Sequence, residues 1–557
     1  MFGSGYAAAQ DRLFLIDVLR NVGRARVSSF VGGSRGNRAL DREQWEIAPY
    51  NERDLELQYE NFDDLYGAEG VKIQEDIREY VAGINAYIDE AKLNPLKMPA
   101  EYAAINKPGG PDPWRVTDPI ATASLVGGIF GKGGGNELGS AQILQAARKR
   151  FGKSRGTKVW RDFRSADDPE HDRTILGRRF PYLQPDRSRR ARRRGRGSTA
   201  MPDRGSVVDH KLGPDLPAAG TARAAVAPGQ RGFMKDLGDG LLRAGSLSNA
   251  LLVSGRESTS GRPLAVFGPQ VSYFSPQILM EQDVHAPTVD ARGVAFPGTN
   301  LYVQLGRGRD YAWSATASSQ DNIDTFAVAL CQPGGGPATR SSNHYRFRGA
   351  CLPMEAVERR NAWTPSLADD TPAGAETLTA LRTKLGLVTA TGTVKGKPVA
   401  YVRLRSTYRH EIDSARAFSD LNDPGKIRSA ADFDRTVYKI GYTFHWFYTD
   451  SRDITMFDSG DIPLRAPGVS RDLPVMGLKR FEWRGFYPGR VTTRYEPPAG
   501  TRTCATSPTW STGTTRRAPE FAGRTSSGST GRSIAPRPLE TARGLWYAGR
   551  ARPTSRS

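Results

Sequence analysis

Cysteine and histidine are scarce in this sequence, which holds three cysteines and six histidines among 557 residues. The histidines are scattered, and the sequence has neither a His-Glu-x-x-His motif nor paired Cys-x-x-Cys motifs. It also lacks the Gly-x-x-x-x-Gly-Lys-Ser/Thr loop that would hold nucleotide phosphates. These absences exclude the commonest sequence signals for a zinc site and for nucleoside triphosphate binding.

Acidic residues are also few relative to basic ones, with 59 Asp and Glu against 79 Lys and Arg and a formal net charge of +20. Much of the basic excess lies in two Arg-rich stretches, residues 187–196 and 502–556, while the remainder of the chain mixes both signs. A basic run of this kind is typically a solvated segment. We therefore predict no nucleic-acid partner, and a DNA-binding tail remains the less favoured alternative.

Long apolar runs are missing. No stretch reaches the roughly 18 consecutive apolar residues that a membrane-spanning helix needs, so we predict no membrane partner. The first residues also lack a basic region followed by an apolar core, and they read like the middle of a domain. We therefore expect an upstream signal peptide and first strand to be missing from this chain.

Apolar periodicity divides the chain into a helical part and a sheet-forming part. Apolar residues spaced three or four positions apart predict helices over residues 7–23, 71–93 and 137–151. From residue 249 onward, short apolar or alternating runs punctuated by Gly, Pro and Asp predict strands over residues 250–253, 264–267, 302–305, 311–313, 326–330, 399–404, 444–448 and 454–457.

Between these parts, residues 161–245 lose periodicity and read as a linker or an excised spacer. The periodicity fades again beyond residue 488. The sequence therefore predicts a helical region over 1–160, a linker or spacer over 161–247, a sheet-rich region over 248–488, and an anomalous basic tail over 489–557.

The linker gives way to strand-like sequence at Ser248 and Asn249, nearly mid-chain. A serine that becomes a new N-terminus carries its own base, because an α-amino group with a pKa of about 7.7–8.0 can take the hydroxyl proton. We therefore hypothesise that the chain is cut before Ser248. On residue type alone, a serine in a Gly/Ser-rich stretch is more often a turn residue.

Two further patterns have two interpretations each. Cys331 and Cys351 flank a Gly/Ser-rich loop between strand-like runs, where they would either close a disulfide or remain as buried thiols. The segment 321–324, Asp-Asn-Ile-Asp, supplies two carboxylates and an intervening carbonyl, which suit calcium. A turn capped by its own Asp and Asn side chains explains the same segment.

Several stretches together resemble the penicillin acylase family of N-terminal-nucleophile (Ntn) hydrolases, and they occur in the family's order. The resemblance implies an α+β fold, a four-layer αββα sandwich with a mostly helical N-terminal chain. The matching stretches are GYAAAQDRLFLIDVLR (5–20), the NEL helix (136–152), SNALLVSG (248–255), FGPQVSYFSPQ (267–277), FPG (296–298), YAWSATASSQDNIDTF (311–326) and FYTDSRDITMFDSGDIP (447–463).

The resemblance implies a role for each residue at a matching position. Ser248 matches the nucleophile, which autocatalytic cleavage after Leu247 exposes. Asn249 matches the neighbour that helps to set its geometry, and Gln270 matches a residue whose backbone contacts the substrate amide. Ala317 matches the residue whose backbone N–H forms half of the oxyanion hole.

A calcium site and a two-chain product follow from the same resemblance. Asp321, Ile323 through its carbonyl, and Asp324 match the family's calcium ligands, and Glu137 matches the carboxylate from the other chain. The expected cofactor is a structural calcium ion without an organic cofactor. The expected partners are the α and β chains of one precursor, which form a heterodimer. The family resemblance implies secretion or export to the periplasm.

Val271 and Leu305 match positions where benzylpenicillin-cleaving members carry aromatic residues, so they either line an acyl pocket with room for a longer or bulkier acyl group or pack the sheet. The implied reaction is hydrolysis of linear amides, with the side-chain amide of a β-lactam antibiotic as substrate. Deacylation of N-acyl-homoserine lactones or lipopeptides is the alternative within the family, and a non-catalytic remnant is the alternative outside it.

The tail departs from the family pattern. The second oxyanion donor of the family is an asparagine in a Trp-Asn-Asn motif, which is absent where this chain reads Thr-Trp-Ser-Thr-Gly-Thr-Thr at residues 509–515. Displacing these codons by two nucleotides permits Leu-Val-Asn-Trp-Asn-Asn. We therefore hypothesise a frameshift between about residues 488 and 509, and a shorter out-of-frame patch over 187–196. Sequencing the gene tests this, because the shifted frame must contain the Trp-Asn-Asn codons.

Overall fold

The computed structural model describes residues 1–164, 193–216, 248–271 and 274–484, together with the backbone of residues 510 and 511. The predictions about Leu247, about most of the 187–196 patch and about the side chains of the tail fall outside the described residues. Within the described residues, no helix is long and apolar enough to cross a bilayer.

The first 164 residues are mainly helical, as the spacing of their apolar side chains predicts. The three predicted helices correspond to the first, sixth and ninth α-helices of the structure, and the ninth has the predicted bounds. The α-helices of this part are α1 (Phe2–Gly23), α2 (Val27–Val31), α3 (Arg35–Ile47), α4 (Glu52–Glu60), α5 (Phe62–Tyr66), α6 (Ala68–Leu93), α7 (Glu101–Ala104), α8 (Thr117–Phe130), α9 (Glu137–Phe151) and α10 (Lys153–Phe163).

Two glycines allow α1 and α6 to pack closely. A Cβ atom on Gly5 would lie 1.9 Å from the carbonyl oxygen of Tyr80, and one on Gly83 would lie 2.0 Å from that of Phe2. No larger residue fits at either position without moving the backbone. The two helices then share a core with α8 that includes Leu13, Ile16, Ile73, Ile77, Ile84 and Ile120.

The second half of the chain forms mainly antiparallel sheets. Its strands alternate buried and exposed side chains or are buried on both faces. The strands, with a short one that precedes them, are β1 (Val208–Asp209), β2 (Asn249–Val253), β3 (Leu264–Gly268), β4 (Met280–Ala286), β5 (Val289–Ala295), β6 (Leu305–Arg307), β7 (Tyr311–Ala317), β8 (Ile323–Cys331), β9 (His344–Phe347), β10 (Ala350–Pro353), β11 (Glu355–Trp363), β12 (Gly374–Thr383), β13 (Gly386–Val394), β14 (Lys397–Arg405), β15 (Phe444–Asp450), β16 (Ile454–Asp458), β17 (Val475–Met476) and β18 (Trp510–Ser511).

These strands form two large sheets and one hairpin. The larger sheet has the order β10-β9-β8-β14-β13-β12-β11, with β1 paired to β13 and β17 paired in parallel to β8. The second sheet has the order β18-β16-β15-β7-β6-β5-β4, and β2 pairs only with β3 among the described residues. Two further helices, α11 (Ala415–Asn422) and α12 (Ala430–Val437), connect β14 to β15. The protein thus combines helices with antiparallel sheets.

The prediction of a strand over residues 302–305 is wrong. Only Leu305 belongs to a strand, where it begins β6, and the preceding residues form a turn. This turn is buried, which suits the apolar side chains of Tyr302 and Val303. Its backbone is paired as well, since Asn422 Oδ1 accepts a hydrogen bond from Val303 N at 2.8 Å. A buried turn and a buried strand have the same composition, so the sequence could not separate them.

Part of the predicted linker is folded. Residues 208 and 209 pair with β13, and Ala200 is fully buried, with its N–H donating to the carbonyl of Pro474 at 2.7 Å. Asp203 accepts hydrogen bonds from Thr393 Oγ1 and Gly396 N, both at 2.7 Å. Residues 193–216, within the stretch that the sequence predicts as a linker or spacer, therefore contact the larger sheet. Individual residues such as Ala200 and Asp203 hold this segment on the sheet. Contacts made by individual residues leave no periodic pattern in the sequence.

Cys331 and Cys351 form a disulfide, with their Cα atoms 6.1 Å apart. The strand β8 ends at Cys331, and the hairpin of β9 and β10 brings Cys351 back beside it. Of the two interpretations of these cysteines, the bonded pair is therefore the one that the structure contains.

In Asp434 of α12, burial disfavours the ionised form of the carboxyl group. Its Oδ1 atom is buried and has no hydrogen-bond partner among the described residues, and burial raises the pKa of Asp434 to about 7. Between about pH 4 and 7 the folded state holds a proton that the unfolded chain has lost, so stability falls as the pH rises. We expect Asp434→Asn to stabilise the protein by about 1–2 kcal/mol at pH 8 and to have little effect at pH 4. Urea unfolding midpoints at the two pH values measure this.

Asp432 in the same helix provides the matched control. Against the effect of burial, hydrogen bonds from Ser429 and from the backbone of Arg428 lower the pKa of Asp432. Its charge therefore stabilises the folded state above the unfolded pKa, and Asp432→Asn should destabilise the protein at pH 8. A gain for Asp434→Asn of equal size at both pH values would contradict the electrostatic explanation.

Candidate active site

Ser248 directly precedes the hairpin formed by β2 and β3. The register of this hairpin pairs Asn249 with Gly268, so the residues that follow β3 return beside Ser248. Gln270 N donates a hydrogen bond to Ser248 Oγ at 3.2 Å, and Asn249 Nδ2 donates to Gln270 Oε1 at 3.0 Å. The structure thus brings together Ser248, Asn249 and Gln270.

Ser248 borders an apolar cavity of about 160 Å³. Val271 lines it directly after Gln270, Leu305 lines it at the start of β6, and Ala317 lines it at the end of β7. Four of the residues singled out in the sequence therefore surround one cavity. The helix α8, which the sequence did not predict, supplies further lining residues: Pro119, Ile120, Ala123, Val126, Gly127 and Phe130.

Three carboxylates meet between the helical part and the sheet. One oxygen from each of Glu137, Asp321 and Asp324 lies within 4.8 Å of the others. Glu137 begins α9, whereas Asp321 lies in the connection from β7 to β8 and Asp324 is the second residue of β8. The carbonyl of Ile323 accepts a hydrogen bond from Gly135 N at 3.1 Å, which joins the two segments. The four residues predicted as cation ligands therefore come from segments in direct contact.

Arg465 neutralises only part of this acidic cluster. Its Nε donates to both carboxylate oxygens of Asp324 at 3.0 and 2.9 Å, and its Nη2 lies 2.8 Å from Asp321 Oδ2. Trp483 Nε1 donates to Asp324 at 2.6 Å. The exposed Arg471 is a second cation whose charge acts on Asp321 and Asp324, so two cations face three carboxylates and negative charge is in excess. Burial raises the pKa of Asp321 to about 7 and also raises that of Glu137.

The cluster has the chemistry of a site for a divalent cation. Asp321 Oδ1 is buried and has no hydrogen-bond partner among the described residues. Carboxylate oxygens together with a backbone carbonyl are the ligands that calcium prefers. The residues present therefore fit the calcium ion that the family resemblance implies.

A model of the penicillin amidase family matches residues 1–513, which is most of the chain. The chain belongs to the penicillin amidase family. This membership confirms the resemblance seen in the sequence.

Two curated members of the penicillin amidase family show how distant the relationship is. Penicillin G acylase of Escherichia coli is 22% identical over 524 residues, which cover 90% of this chain and 56% of the relative. Penicillin acylase 2 proenzyme of Pseudomonas sp. (strain SE83) is 23% identical over 507 residues, which cover 89% of this chain and 54% of the relative. The chain thus spans about half the length of the curated relatives it matches.

Solved structures from the family are also similar to parts of the chain. A thermostable penicillin G acylase from Alcaligenes faecalis in an orthorhombic form is 23% identical, with a TM-score of 0.35, and the match covers 42% of this chain and 39% of that one. The tetragonal form is 22% identical, with a TM-score of 0.26, and the match covers 32% of this chain and 86% of that one.

The sequence did not single out Glu411, which lines the Ser248 cavity of this penicillin amidase family member. The residue is buried, and its carboxylate accepts hydrogen bonds from Arg405 Nη2 at 2.8 Å, Tyr50 Oη at 2.7 Å and Tyr442 Oη at 2.6 Å. Burial and then the Glu411 carboxylate raise the pKa of Tyr442 well above its ordinary value, so this hydroxyl remains a donor. Its partners are remote in sequence, and no local motif identifies them.

Ser34 also matches a hydrolase motif, since residues 32–36 read Gly-Gly-Ser-Arg-Gly. Its Oγ accepts a hydrogen bond from Asn37 N at 3.4 Å and so caps the start of α3. A nucleophile elbow follows a strand, whereas this segment follows α2. Ser34 therefore has a structural explanation.

Proposed function

We propose that this chain is the precursor of an amide hydrolase whose nucleophile is Ser248, freed as a new N-terminus by cleavage after Leu247. The observation that carries the proposal is the position of Ser248, which borders an apolar cavity while its Oγ contacts the backbone of Gln270. Membership of the penicillin amidase family supports hydrolysis of linear amides as the reaction class. The name of one relative as a proenzyme supports maturation by cleavage.

The proposed reaction is acyl transfer in two steps. The new α-amino group of Ser248 takes the hydroxyl proton through a water molecule while Oγ attacks the amide carbonyl. The proton passes to the leaving amine as the C–N bond breaks, and a water molecule then hydrolyses the acyl-enzyme and releases the acid. The backbone N–H of Ala317 stabilises the oxyanion, and one such donor contributes about 100- to 1,000-fold in rate.

Asn249 and Gln270 position the nucleophile in this proposal, through the hydrogen bonds that join them to each other and to Ser248. The second donor of the oxyanion hole is the asparagine that the tail lacks in sequence. A protein without this second donor would retain Ser248 and its cavity, but it would hydrolyse amides much more slowly. The non-catalytic remnant is therefore the competing hypothesis.

The volume of the cavity indicates the size of the acyl group. An apolar protein cavity of roughly 150 Å³ accommodates benzene. The cavity beside Ser248 has about 160 Å³, so it suits an acyl group with one phenyl ring or a short alkyl chain. We propose the side-chain amide of a β-lactam antibiotic, or a similar N-acyl compound, as substrate. Val271 and Leu305 are then residues of the acyl pocket.

The same proposal includes the four-layer αββα arrangement and a heterodimer of the two cleavage products. Glu137 lies before the proposed cut, and Asp321 and Asp324 lie after it, so a calcium ion bound by them would hold the products together. Secretion or export to the periplasm is also part of the proposal. The disulfide between Cys331 and Cys351 supports it, because disulfides persist in oxidising compartments.

Intact-mass analysis of the expressed protein, followed by a substrate panel, tests the proposed function. We expect two chains, one of which begins at Ser248, and faster release of phenylacetyl or hexanoyl groups than of dodecanoyl groups. A preference for long acyl chains would instead favour N-acyl-homoserine lactones or lipopeptides. An uncut, inactive chain would favour the non-catalytic remnant.

Removal of calcium should lower the stability of the protein. A ligand that binds only the folded state stabilises it by about 2.7 kcal/mol at 100 times its Kd, so we expect calcium to raise the melting temperature and EDTA to reverse the rise. In Glu137→Gln the calcium effect should disappear, whereas the exposed Glu75→Gln should behave like the wild type. An equal calcium effect in Glu137→Gln would show that the ion binds elsewhere. The readout is differential scanning calorimetry, which does not require activity.

A further inference from the structure

A second cavity lies near the Ser248 cavity, and one ion pair joins a residue that lines the first to a residue that lines the second. Glu411 lines the Ser248 cavity, and Arg405, which contacts it at 2.8 Å, lines the second. The second cavity has a volume of about 410 Å³ and a polar lining that includes Lys132, Arg403 and Tyr408. Neither Ser248 nor the carboxylates of the cation cluster line it.

Lys132 is the unmatched cation of this cavity. Arg403 pairs with Glu46 at 3.2 Å and Arg405 pairs with Glu411, whereas no carboxylate among the described residues forms an ion pair with Lys132. Burial, and then the charges of Arg405 and Arg403, lower the pKa of Lys132 to about 8. The carboxylates of Glu43 and of Glu46, which also lines the cavity, offset this effect only in part, so the like charges remain unfavourable in a partly buried site. The fold therefore maintains a repulsion that an anion would relieve.

The glycines after Lys132 explain why its side chain lines the cavity. A Cβ atom on Gly133 would lie 2.1 Å from the carbonyl oxygen of Ser319, and one on Gly134 would lie 2.0 Å from Asp321 Oδ1. Gly134 also has a φ of +84°, which other residues rarely adopt. The backbone of residues 133 and 134 therefore lies in close contact with residues 319–321, which precede β8. This contact determines the position of the chain after α8. This placement depends on backbone contacts that only glycine permits.

The cations that line this cavity are chemically suited to an anion. Lys132 and Arg403 both line it, and each carries N–H groups that donate to oxygen. Cationic donors form the stronger hydrogen bonds to oxyanions.

We propose that this cavity binds a small oxyanion, a phosphate or a carboxylate, through Lys132 and Arg403. The site is distinct from the apolar cavity at Ser248, and the proposal does not depend on the proposed amide hydrolysis. Free inorganic phosphate and a small organic acid share this chemistry, and the experiment below distinguishes them.

Titration calorimetry of the full chain with inorganic phosphate and, separately, with acetate tests the proposal, at constant ionic strength set by NaCl. We expect saturable binding by the wild type and an affinity about tenfold or more weaker in Lys132→Met, because a hydrogen bond to a charged group is lost. Lys149→Met, which removes an exposed lysine of α9, should bind like the wild type. Tighter binding of phosphate or of acetate identifies which of the two anions the site prefers.

The melting temperature of Lys132→Met shows whether a loss of anion binding has its origin in misfolding. Because Lys132 has no ion-pair partner among the described residues, Lys132→Met removes a repulsion and should melt no lower than the wild type in the absence of the anions. The basic tail is present in every variant, so anion binding there cannot produce a difference between them. Equal affinities of the wild type and Lys132→Met, or an absence of saturable binding by the wild type, would overturn the proposal.

Discussion

Replacing Ser248 by alanine should leave the chain as one uncut polypeptide without amidase activity. The substitution removes the only atom of this side chain that can attack a carbonyl, and it removes the same nucleophile from the cleavage that frees the new N-terminus. Loss of a serine nucleophile lowers kcat by about 10⁶-fold in a well-studied hydrolase, so residual hydrolysis should be undetectable. Intact-mass analysis and release of a phenylacetyl reporter measure the two effects.

Ser254→Ala is the matched control for this prediction. Ser254 follows β2 in the same hairpin and contacts Glu257 at the surface, so its loss should affect neither cleavage nor activity. Because the Ser248 side chain accepts a single hydrogen bond within the described part of the chain, from Gln270 N, the alanine variant should also melt close to the wild type. A Ser248→Ala protein that is still cut before residue 248 would assign the nucleophile to another residue.

Asn249 and Gln270, which the family resemblance assigned to the site, lie on the same hairpin as Ser248. Residues 248–271 form β2, its turn and β3, so a local register suffices to place Gln270 beside Ser248. The cation cluster was predictable for a similar reason, since one short segment supplies Asp321, Ile323 and Asp324. The family resemblance added Glu137, the one ligand that is remote in sequence.

Much of the larger sheet could not be predicted, because its polar residues are buried by contacts with remote segments. The strand β11 reads EAVERRNAW, which lacks an apolar run, and its Asn361 is fully buried. Asn361 Nδ2 donates to Ala25 O at 3.0 Å and to Asp41 Oδ2 at 3.1 Å, both in the helical part. Burial of Asn361 is favourable only because these partners exist. A periodicity based on apolar residues therefore misses the strand.

The helix α8 was missed for a different reason. Its sequence TDPIATASLVGGIF contains the adjacent glycines 127 and 128, which lower its helix propensity. Most of its residues are buried because they pack between the helical core and the Ser248 cavity, so tertiary contacts determine its structure. The acyl pocket could therefore be predicted on its β-strand side and not on its helical side.

Glu411 supplies the second large effect, on stability. Its side chain is fully buried, and Arg405, which it pairs with, is 5% exposed. Glu411→Gln retains the shape of the side chain and leaves Arg405 as an uncompensated buried charge. Breaking a buried ion pair by removing one partner costs about 3–5 kcal/mol. We expect the melting temperature to fall by several degrees, as measured by differential scanning calorimetry, while chain cleavage before Ser248 persists at low temperature.

Two controls separate the buried charge from other causes. Glu56→Gln removes one partner of an exposed pair with Arg53, and exposed pairs contribute about 0–1 kcal/mol, so this variant should melt like the wild type. The double variant Glu411→Gln with Arg405→Met removes both charges, and it should recover part of the loss because no unpaired ion remains. If the double variant were less stable than Glu411→Gln alone, lost packing rather than the unpaired charge would explain the effect.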